Sequence, residues 1–321
     1  MAVAQSSSPL PSAKLIDAQT LMSIRSLELR ARAVVEGFWS GMHRSPYHGF
    51  SVEFTEYRQY TPGDDPRYLD WRVVARSDRY FIKKYEDETN LRCHLLVDQS
   101  RSMDYGSRGH TKAAYAATLA ATLAYFLHLQ GDATGLLTFD DQVRDYLPAR
   151  HRAGHLRQLM HALERPAAGR TTDLAAPLER ISALIRRRAL VALVSDFLAP
   201  IDQLERKLLA LGACGHEVSV FQVLDPAELN LGLDQPAMFE DLESARTLYL
   251  DPATARAAYV KKLEEHCSAL RAMCRKLGIN YQLLATDQPL EVALFGFLQD
   301  RMKRGRQFRP AFRGANPGGA S

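Results

Sequence analysis

Three oxygen-bearing side chains stand on alternate residues directly after an apolar run. Asp98, Ser100 and Ser102 follow residues 95–97, which have the composition of a buried parallel strand. In open α/β sheets, ligands bind beyond the carboxyl ends of such strands. Carboxylate and hydroxyl oxygens are hard ligands, and they suit Mg²⁺ or Mn²⁺ better than zinc or copper. The spacing therefore predicts a divalent-cation site in the loop after this strand.

Two later segments supply further oxygen ligands. Thr172 belongs to a Gly-Arg-Thr-Thr-Asp stretch that opens a predicted helix, which places its hydroxyl at a helix N-terminus. Asp196 follows a second apolar strand. Thr171 is the competing choice for the threonine ligand. We expect the following residues to form one metal site: Asp98, Ser100, Ser102, Thr172 and Asp196.

This set of residues resembles the metal-ion-dependent adhesion site of von Willebrand factor type A (VWA) domains. The resemblance implies that Ser100, Ser102 and Thr172 touch the metal. It implies that Asp98 and Asp196 hold the ion directly or through waters, and that water or an acidic side chain of a partner fills the remaining position. Thr172 is preferred as the threonine ligand because Thr-Asp-Leu matches the usual continuation in that family.

A second signature lies upstream of the predicted metal loop. A Pro-Gly-Asp-Asp turn is followed by charges of alternating sign around Trp71. The segment resembles the DUF58 family, whose members carry this pattern before a VWA-like domain: Arg58-x-Tyr60-x-Pro62-Gly63-Asp64-Asp65-x-Arg67-x-x-Asp70-Trp71. The resemblance covers roughly residues 40–290 and implies a MoxR-type AAA+ ATPase as a partner. We interpret the segment as an ion-paired connector packed on the main domain, with a second interaction surface as the alternative.

The order of elements predicts an α/β fold with a doubly wound, mostly parallel sheet, similar to VWA domains and Rossmann-like folds. A helix over residues 14–39 and the charged connector precede this sheet. The predicted strands cover residues 79–85, 92–97, 134–139, 143–147, 189–195, 216–223 and 279–284, with a hairpin at 239–250. The predicted helices cover residues 112–130, 155–163, 174–185, 204–211 and 253–277.

Length and composition fit one main domain with attachments. The chain has 321 residues, of which 46% are hydrophobic and 24% charged, and it can bury a full core. We expect a disordered tail at residues 1–13, the helix and DUF58 segment at 14–88, the VWA-like domain at 89–300 and a basic disordered tail at 301–321. Nucleic-acid binding by the basic tail is disfavoured, because no binding motif or aromatic platform accompanies it.

No enzymatic motif accompanies the predicted metal site. The sequence has neither the phosphate-binding loop of P-loop NTPases nor the Gly-x-Ser-x-Gly pattern of hydrolases. A metal-dependent phosphohydrolase of the haloacid dehalogenase type is the alternative, since such enzymes also begin with a strand-terminal aspartate. They need a carboxylate general acid two residues later, where this chain has Ser100. We therefore expect a non-enzymatic, metal-dependent protein-interaction protein. The DUF58 resemblance implies that it is an adaptor or co-chaperone-like partner of a MoxR-type ATPase and binds its client.

The sequence also bears on location. No stretch approaches the roughly 20 consecutive apolar residues of a membrane span. Residues 1–12 lack the basic start and apolar core of a signal peptide. We expect a cytoplasmic protein without a membrane span.

Overall fold

A computed structural model describes most of the chain. The described residues are 15–43, 56–59, 81–84, 91–166, 175–185, 187–232, 235–240 and 247–307. Their strands are β1 (Glu56–Gln59), β2 (Phe81–Lys84), β3 (Arg92–Asp98), β4 (Ala133–Phe139), β5 (Val143–Arg150), β6 (Leu190–Ser195), β7 (Glu217–Leu224), β8 (Ala237–Glu240), β9 (Thr247–Leu250) and β10 (Asn280–Ala285). Their helices are α1 (Ala18–Met22), α2 (Leu27–His43), α3 (Lys112–Leu129), α4 (His155–Leu163), α5 (Ala175–Leu184), α6 (Ile201–Ala213), α7 (Pro226–Asn230), α8 (Pro252–Lys276) and α9 (Leu290–Gln307).

The main sheet has six strands in the order β10-β7-β6-β3-β4-β5. All neighbours in this sheet are parallel except β4 and β5, which pair antiparallel. Two short antiparallel pairs, β1 with β2 and β8 with β9, lie outside it. The predicted α/β fold with a doubly wound, mostly parallel sheet is confirmed, as is the predicted hairpin.

Side chains of the central strands alternate between two apolar layers. In β3, Leu95 and Val97 face one layer, whereas Leu96 faces the other. The first layer includes buried side chains of α2, α3, α4 and α9, and the second includes those of α5, α6 and α8. Because β3 is covered on both faces, its central residues 95–97 are apolar, and the carboxylate of Asp98 follows them at its carboxyl end.

The N-terminal helix differs from the prediction of one helix over residues 14–39. The structure ends α1 at Met22 and begins α2 at Leu27. Ser23 donates its hydroxyl to the carbonyl of Thr20, and Ser26 accepts the amide hydrogen of Leu29. These serines therefore terminate one helix and cap the next, which an apolar periodicity alone does not reveal.

The C-terminal part of the chain requires a second correction. Helix α9 was not predicted, and it includes residues 301–307 of the segment expected to be a disordered tail. Leu290, Ala293, Leu294 and Phe297 form the apolar stripe that α9 buries. Most of the predicted connector, including Trp71, and residues 308–321 lie outside the described residues. No helix within the described part of the chain has both the length and the apolar character to span a membrane.

Candidate metal centre

Four strands of the main sheet end side by side, and we call the loops that follow them the carboxyl edge. Asp98 ends β3, whereas Asp196, Asp225 and Thr286 directly follow β6, β7 and β10. All four side chains are buried. Because β10, β7, β6 and β3 are consecutive and parallel in the sheet, their polar ends lie at the same edge.

Asp98 lies at the centre of this edge and is 0% exposed. Its Oδ1 accepts the amide hydrogen of Ser100 at 2.9 Å, and its Oδ2 accepts the hydroxyl of Ser195 at 2.6 Å. Burial and the negative charge of Asp196 raise the pKa of the Asp98 carboxyl to about 7, although these hydrogen bonds favour the ionised form. Burial and Asp196 therefore oppose ionisation of Asp98, and a nearby cation would favour it.

The two predicted serine ligands lie in the loop after Asp98. The Ser100 and Ser102 hydroxyl oxygens are 3.0 Å apart. Ser100 is buried, whereas Ser102 is partly exposed in a single 3₁₀ turn, Arg101–Asp104. The pair therefore leads from the buried carboxylate towards solvent.

Asp196 occupies the equivalent place after β6. Its Oδ1 accepts the amide hydrogen of Leu198 at 3.3 Å, and its backbone carbonyl accepts the side-chain amide of Gln222 at 2.8 Å. Phe197, which is buried, has a φ of 54°, a conformation that bulky residues rarely adopt. Phe197 donates its amide hydrogen to Ser195 Oγ at 3.1 Å, and the Phe197 carbonyl oxygen lies 2.8 Å from His266 Nε2. This strained backbone is held in place by the groups around it.

Lys112 brings a positive charge into the edge, and sequence reasoning missed it. Its side chain is 0% exposed, and Nζ donates to Asp196 Oδ2 at 3.0 Å and to Glu228 Oε1 at 2.7 Å. Burial alone would lower the pKa of Lys112, but Asp196 and Glu228 outweigh it, so the pKa is raised. The ammonium is therefore a permanent member of the site.

Asp225 organises the neighbouring part of the edge. It forms a capping box with Glu228 at the start of α7, and its carboxylate also accepts the Ser107 hydroxyl at 2.5 Å and the Thr286 hydroxyl at 3.2 Å. Burial alone would raise the pKa of Asp225, but the hydrogen bonds from Ser107, Ala227 and Thr286 lower it. The Asp-Pro-x-Glu pattern after a strand was the available signal for this cap.

The structure brings together four of the five predicted metal ligands. Asp98, Ser100 and Ser102 share one loop. Asp196 follows the adjacent strand β6, whose last residue Ser195 donates its hydroxyl to Asp98, and the charge of Asp196 is close enough to raise the pKa of Asp98. Thr172, with its alternative Thr171, falls in residues 167–174, which lie outside the described residues. Its convergence with the other four stays a prediction.

The chemistry of these groups fits a hard divalent cation. Asp98 and Asp196 provide two buried carboxylates, and the two serines provide adjoining hydroxyls. The described hydrogen bonds that the Asp98 carboxylate accepts come from neutral groups, so no described residue forms a direct ion pair with it. Within the described ranges, no three His, Cys, Asp or Glu side chains gather as metal ligands. A metal here would therefore rely on hydroxyls as well as carboxylates.

Comparison with known proteins identifies the class. Residues 56–269 match the family described as "Protein of unknown function DUF58". The chain belongs to the DUF58 family, as its sequence predicted. Uncharacterized proteins of Mycobacterium tuberculosis and Mycobacterium bovis are each 29% identical to it over 292 residues, covering 89% of this chain and 91% of theirs.

Solved structures with a similar arrangement include two domains of low sequence identity. The conserved hypothetical protein BatB from Bacteroides thetaiotaomicron is 14% identical, with a TM-score of 0.45 over 67% of this chain and 99% of BatB. The VWA domain of SpRpn10 is also 14% identical, with a TM-score of 0.38 over 64% of this chain and 93% of that domain. Likenesses of this size support no conclusion about function.

Proposed function

We propose that this protein is a non-enzymatic protein-interaction protein whose carboxyl edge depends on Mg²⁺ or Mn²⁺. The observation that carries the proposal is the buried pair Asp98 and Asp196, which face each other's charge beside the hydroxyls of Ser100 and Ser102. Two buried carboxylates destabilise each other unless cations lie near them, and among the described contacts Lys112 pairs with Asp196 but not with Asp98. Asp98, Ser100, Ser102, Thr172 and Asp196 are the proposed ligands.

A bound divalent ion would supply an electrophilic centre for an acidic side chain of a partner. The chain's own residues prepare for this contact. Asp98 is fixed by Ser100 and Ser195, while Ser102 opens the site towards solvent. Leu198 and Tyr105 flank the edge with 49% and 37% of their surfaces exposed, which gives a partner apolar area beside the polar centre.

The proposed partner is a MoxR-type AAA+ ATPase, together with its client. This part of the proposal rests on the DUF58 resemblance and on the family match, not on a contact of the structure. The absence of catalysis rests on Ser100, which stands where a haloacid dehalogenase-type enzyme needs a carboxylic acid. Phosphatase activity that requires Mg²⁺ and is lost in Asp98→Asn would contradict it.

The metal is tested by thermal unfolding of the full chain. Mg²⁺ or Mn²⁺ added after EDTA treatment should raise the melting temperature, because a ligand that binds the folded state stabilises it by mass action. Asp98→Ala should abolish this shift. Asp104→Asn is the matched control, since Asp104 is an exposed carboxylate in the same loop, and it should retain the shift. An equal shift in Asp98→Ala would sink the assignment.

The partner contact is tested by co-purification and by binding of the purified MoxR-type ATPase. EDTA and Thr172→Ala should weaken binding to a similar degree, and their combined effect should not be additive, because both remove one interaction. Thr171→Ala is the matched control and should bind normally. Deleting residues 308–321 should also leave binding intact. Binding that survives EDTA but is lost in moderate salt would show instead an electrostatic contact through the basic tail.

A further inference from the structure

Lys112 lies in an unfavourable place for a positive charge. It is the first residue of α3, where the helix dipole already presents a partial positive charge. Its ammonium is also removed from water, since the side chain is 0% exposed. Both effects oppose a cation at this position, so its carboxylate partners must supply the compensating attraction.

The partners of Lys112 connect the candidate metal centre with the next strand end. Nζ lies 3.0 Å from Asp196 Oδ2 and 2.7 Å from Glu228 Oε1. Glu228 is fixed in turn, because its other carboxylate oxygen accepts the amide hydrogen of Asp225 at 2.8 Å. The ammonium is thus held between a proposed metal ligand and a carboxylate that belongs to the α7 cap.

Among the described residues, the charges of this cluster do not balance. Three buried or mostly buried carboxylates, Asp98, Asp196 and Glu228, share the edge with the Lys112 ammonium. Lys112 donates to Asp196 and Glu228, whereas Asp98 accepts its hydrogen bonds from the neutral groups of Ser100 and Ser195. The cluster retains negative charge for a further cation, but that cation would share Asp196 with an ammonium already in place.

We propose that Lys112 is a resident cation that competes electrostatically with the divalent ion for Asp196 and thereby sets the metal affinity of the carboxyl edge. The inference rests on the proposed metal-dependent function and deepens it. A positive charge beside a shared carboxylate repels a second cation and occupies one of its oxygens. Glu228 retains the ammonium at the edge when Asp196 is shared, because its contact with Nζ is the shorter of the two.

Lys112→Met tests the proposal, since methionine keeps an unbranched apolar stem without the charge. The variant should bind Mn²⁺ tighter than the wild type, on the order of tenfold or more, because the repulsion is gone. After EDTA treatment it should melt at a lower temperature than the wild type, since Asp196 and Glu228 lose their buried partner. Mn²⁺ should restore a larger part of its melting temperature than it adds to the wild type.

The measurement is titration of Mn²⁺ into the full chain, followed by electron paramagnetic resonance of the free ion and by calorimetry. Lys207→Met is the matched control. Lys207 lies on α6 and its ammonium pairs with Glu179 of α5 at 2.9 Å, so it has no contact with Asp196 or Glu228 among those described. It should leave the Mn²⁺ affinity unchanged. If Lys112→Met does not fold, the double variant Lys112→Met with Glu228→Gln removes one charge of each sign and should still bind Mn²⁺ tighter than the wild type.

Each outcome decides the proposal. Tighter binding in the Lys112 variant, or binding in that variant alone, supports it. Equal or weaker measurable affinity in the variant overturns the role of Lys112 and leaves the metal-dependent function standing. Absence of Mn²⁺ binding in both proteins overturns this inference and the proposed metal dependence together.

Discussion

Asp98 lies where burial and a second carboxylate both oppose its ionisation. Its folded-state pKa is raised to about 7, against about 3.8 in the unfolded chain. For a group whose pKa is raised on folding, the stabilising contribution is complete below the unfolded pKa and is lost as the pH rises through the folded pKa. The proton on Asp98 therefore favours the folded state in acid.

This titration gives a pH prediction for the metal-free protein. Between about pH 4 and about pH 7, the free energy of unfolding of the wild type should fall by about 2–4 kcal/mol relative to Asp98→Asn, which cannot titrate there. Urea unfolding in EDTA at several pH values measures the difference. Parallel pH profiles for the two proteins would show that Asp98 does not titrate in this window.

The candidate site could be predicted from sequence where its residues end strands. Asp98 and Asp196 follow apolar runs directly, so their place at the sheet edge follows from the pattern of the chain. Lys112 begins a helix, and its partners Asp196 and Glu228 lie 84 and 116 positions later in the chain. No local sequence pattern specifies such distant partners. Its role becomes visible only when α3 is placed against β6 and α7.

At the scale of the elements, the β4–β5 pair depends on a glycine. The register of this antiparallel pair shifts next to Gly135. A Cβ at this position would lie 2.7 Å from the Ala149 nitrogen and 2.8 Å from the Leu147 carbonyl oxygen. Backbone atoms cannot move aside as a flexible side chain can, so glycine is required here by the close approach of two strands.

Gly135→Ala should therefore lower the free energy of unfolding by about 1–3 kcal/mol, the usual effect of forcing extra volume into a packed site. Gly212→Ala is the control, because Gly212 lies in α6 where an added Cβ would meet open space. That change should stabilise by up to about 1 kcal/mol through helix propensity. Chemical denaturation measures both; similar effects of the two substitutions would contradict the argument from close approach.

The elements themselves differ in how well the sequence specifies them. Strands β3 and β6 each contain a short apolar run that is too short for a helix, and they were predicted within a residue of their bounds. The break between α1 and α2 depends on serine hydrogen bonds that interrupt a continuous apolar periodicity. Helix α9 was missed because its apolar residues are followed by a strongly basic end, which has the composition of a solvated tail.

At the scale of the whole molecule, α2 belongs to the same apolar layer as the main sheet. Leu27, Val34, Val35 and Phe38 are buried in that layer. The Phe38 ring meets Phe126 of α3 edge-on, with centroids 6.4 Å apart. At the other end of the chain, Glu291 of α9 accepts the amide hydrogen of Ile16 at 3.1 Å. The two terminal regions of the described chain thus meet on one face of the sheet.

We therefore expect α2 and the sheet to unfold as one cooperative unit. Phe38→Ala should lower the global free energy of unfolding by about 3–5 kcal/mol, the range for deleting a large buried aromatic side chain. Leu29→Ala, on the 54% exposed Leu29 of the same helix, should change it by less than about 0.5 kcal/mol. Urea unfolding followed by circular dichroism should show one transition. A Phe38→Ala protein whose main transition is unchanged would mean that α2 is a separate attachment.

The contacts of the carboxyl edge join segments that are far apart in the chain. Ser195 reaches Asp98 across 97 positions, Ser107 reaches Asp225 across 118, and His110 reaches the carbonyl of Thr286 across 176. Contacts between residues so far apart in the chain form late in folding. During synthesis, neither contact partner can bind the other until the later residue has left the ribosome. A completed edge therefore reports that β10 has been made and docked. A partner that bound this edge, as proposed, would therefore bind completed chains and not nascent or truncated ones.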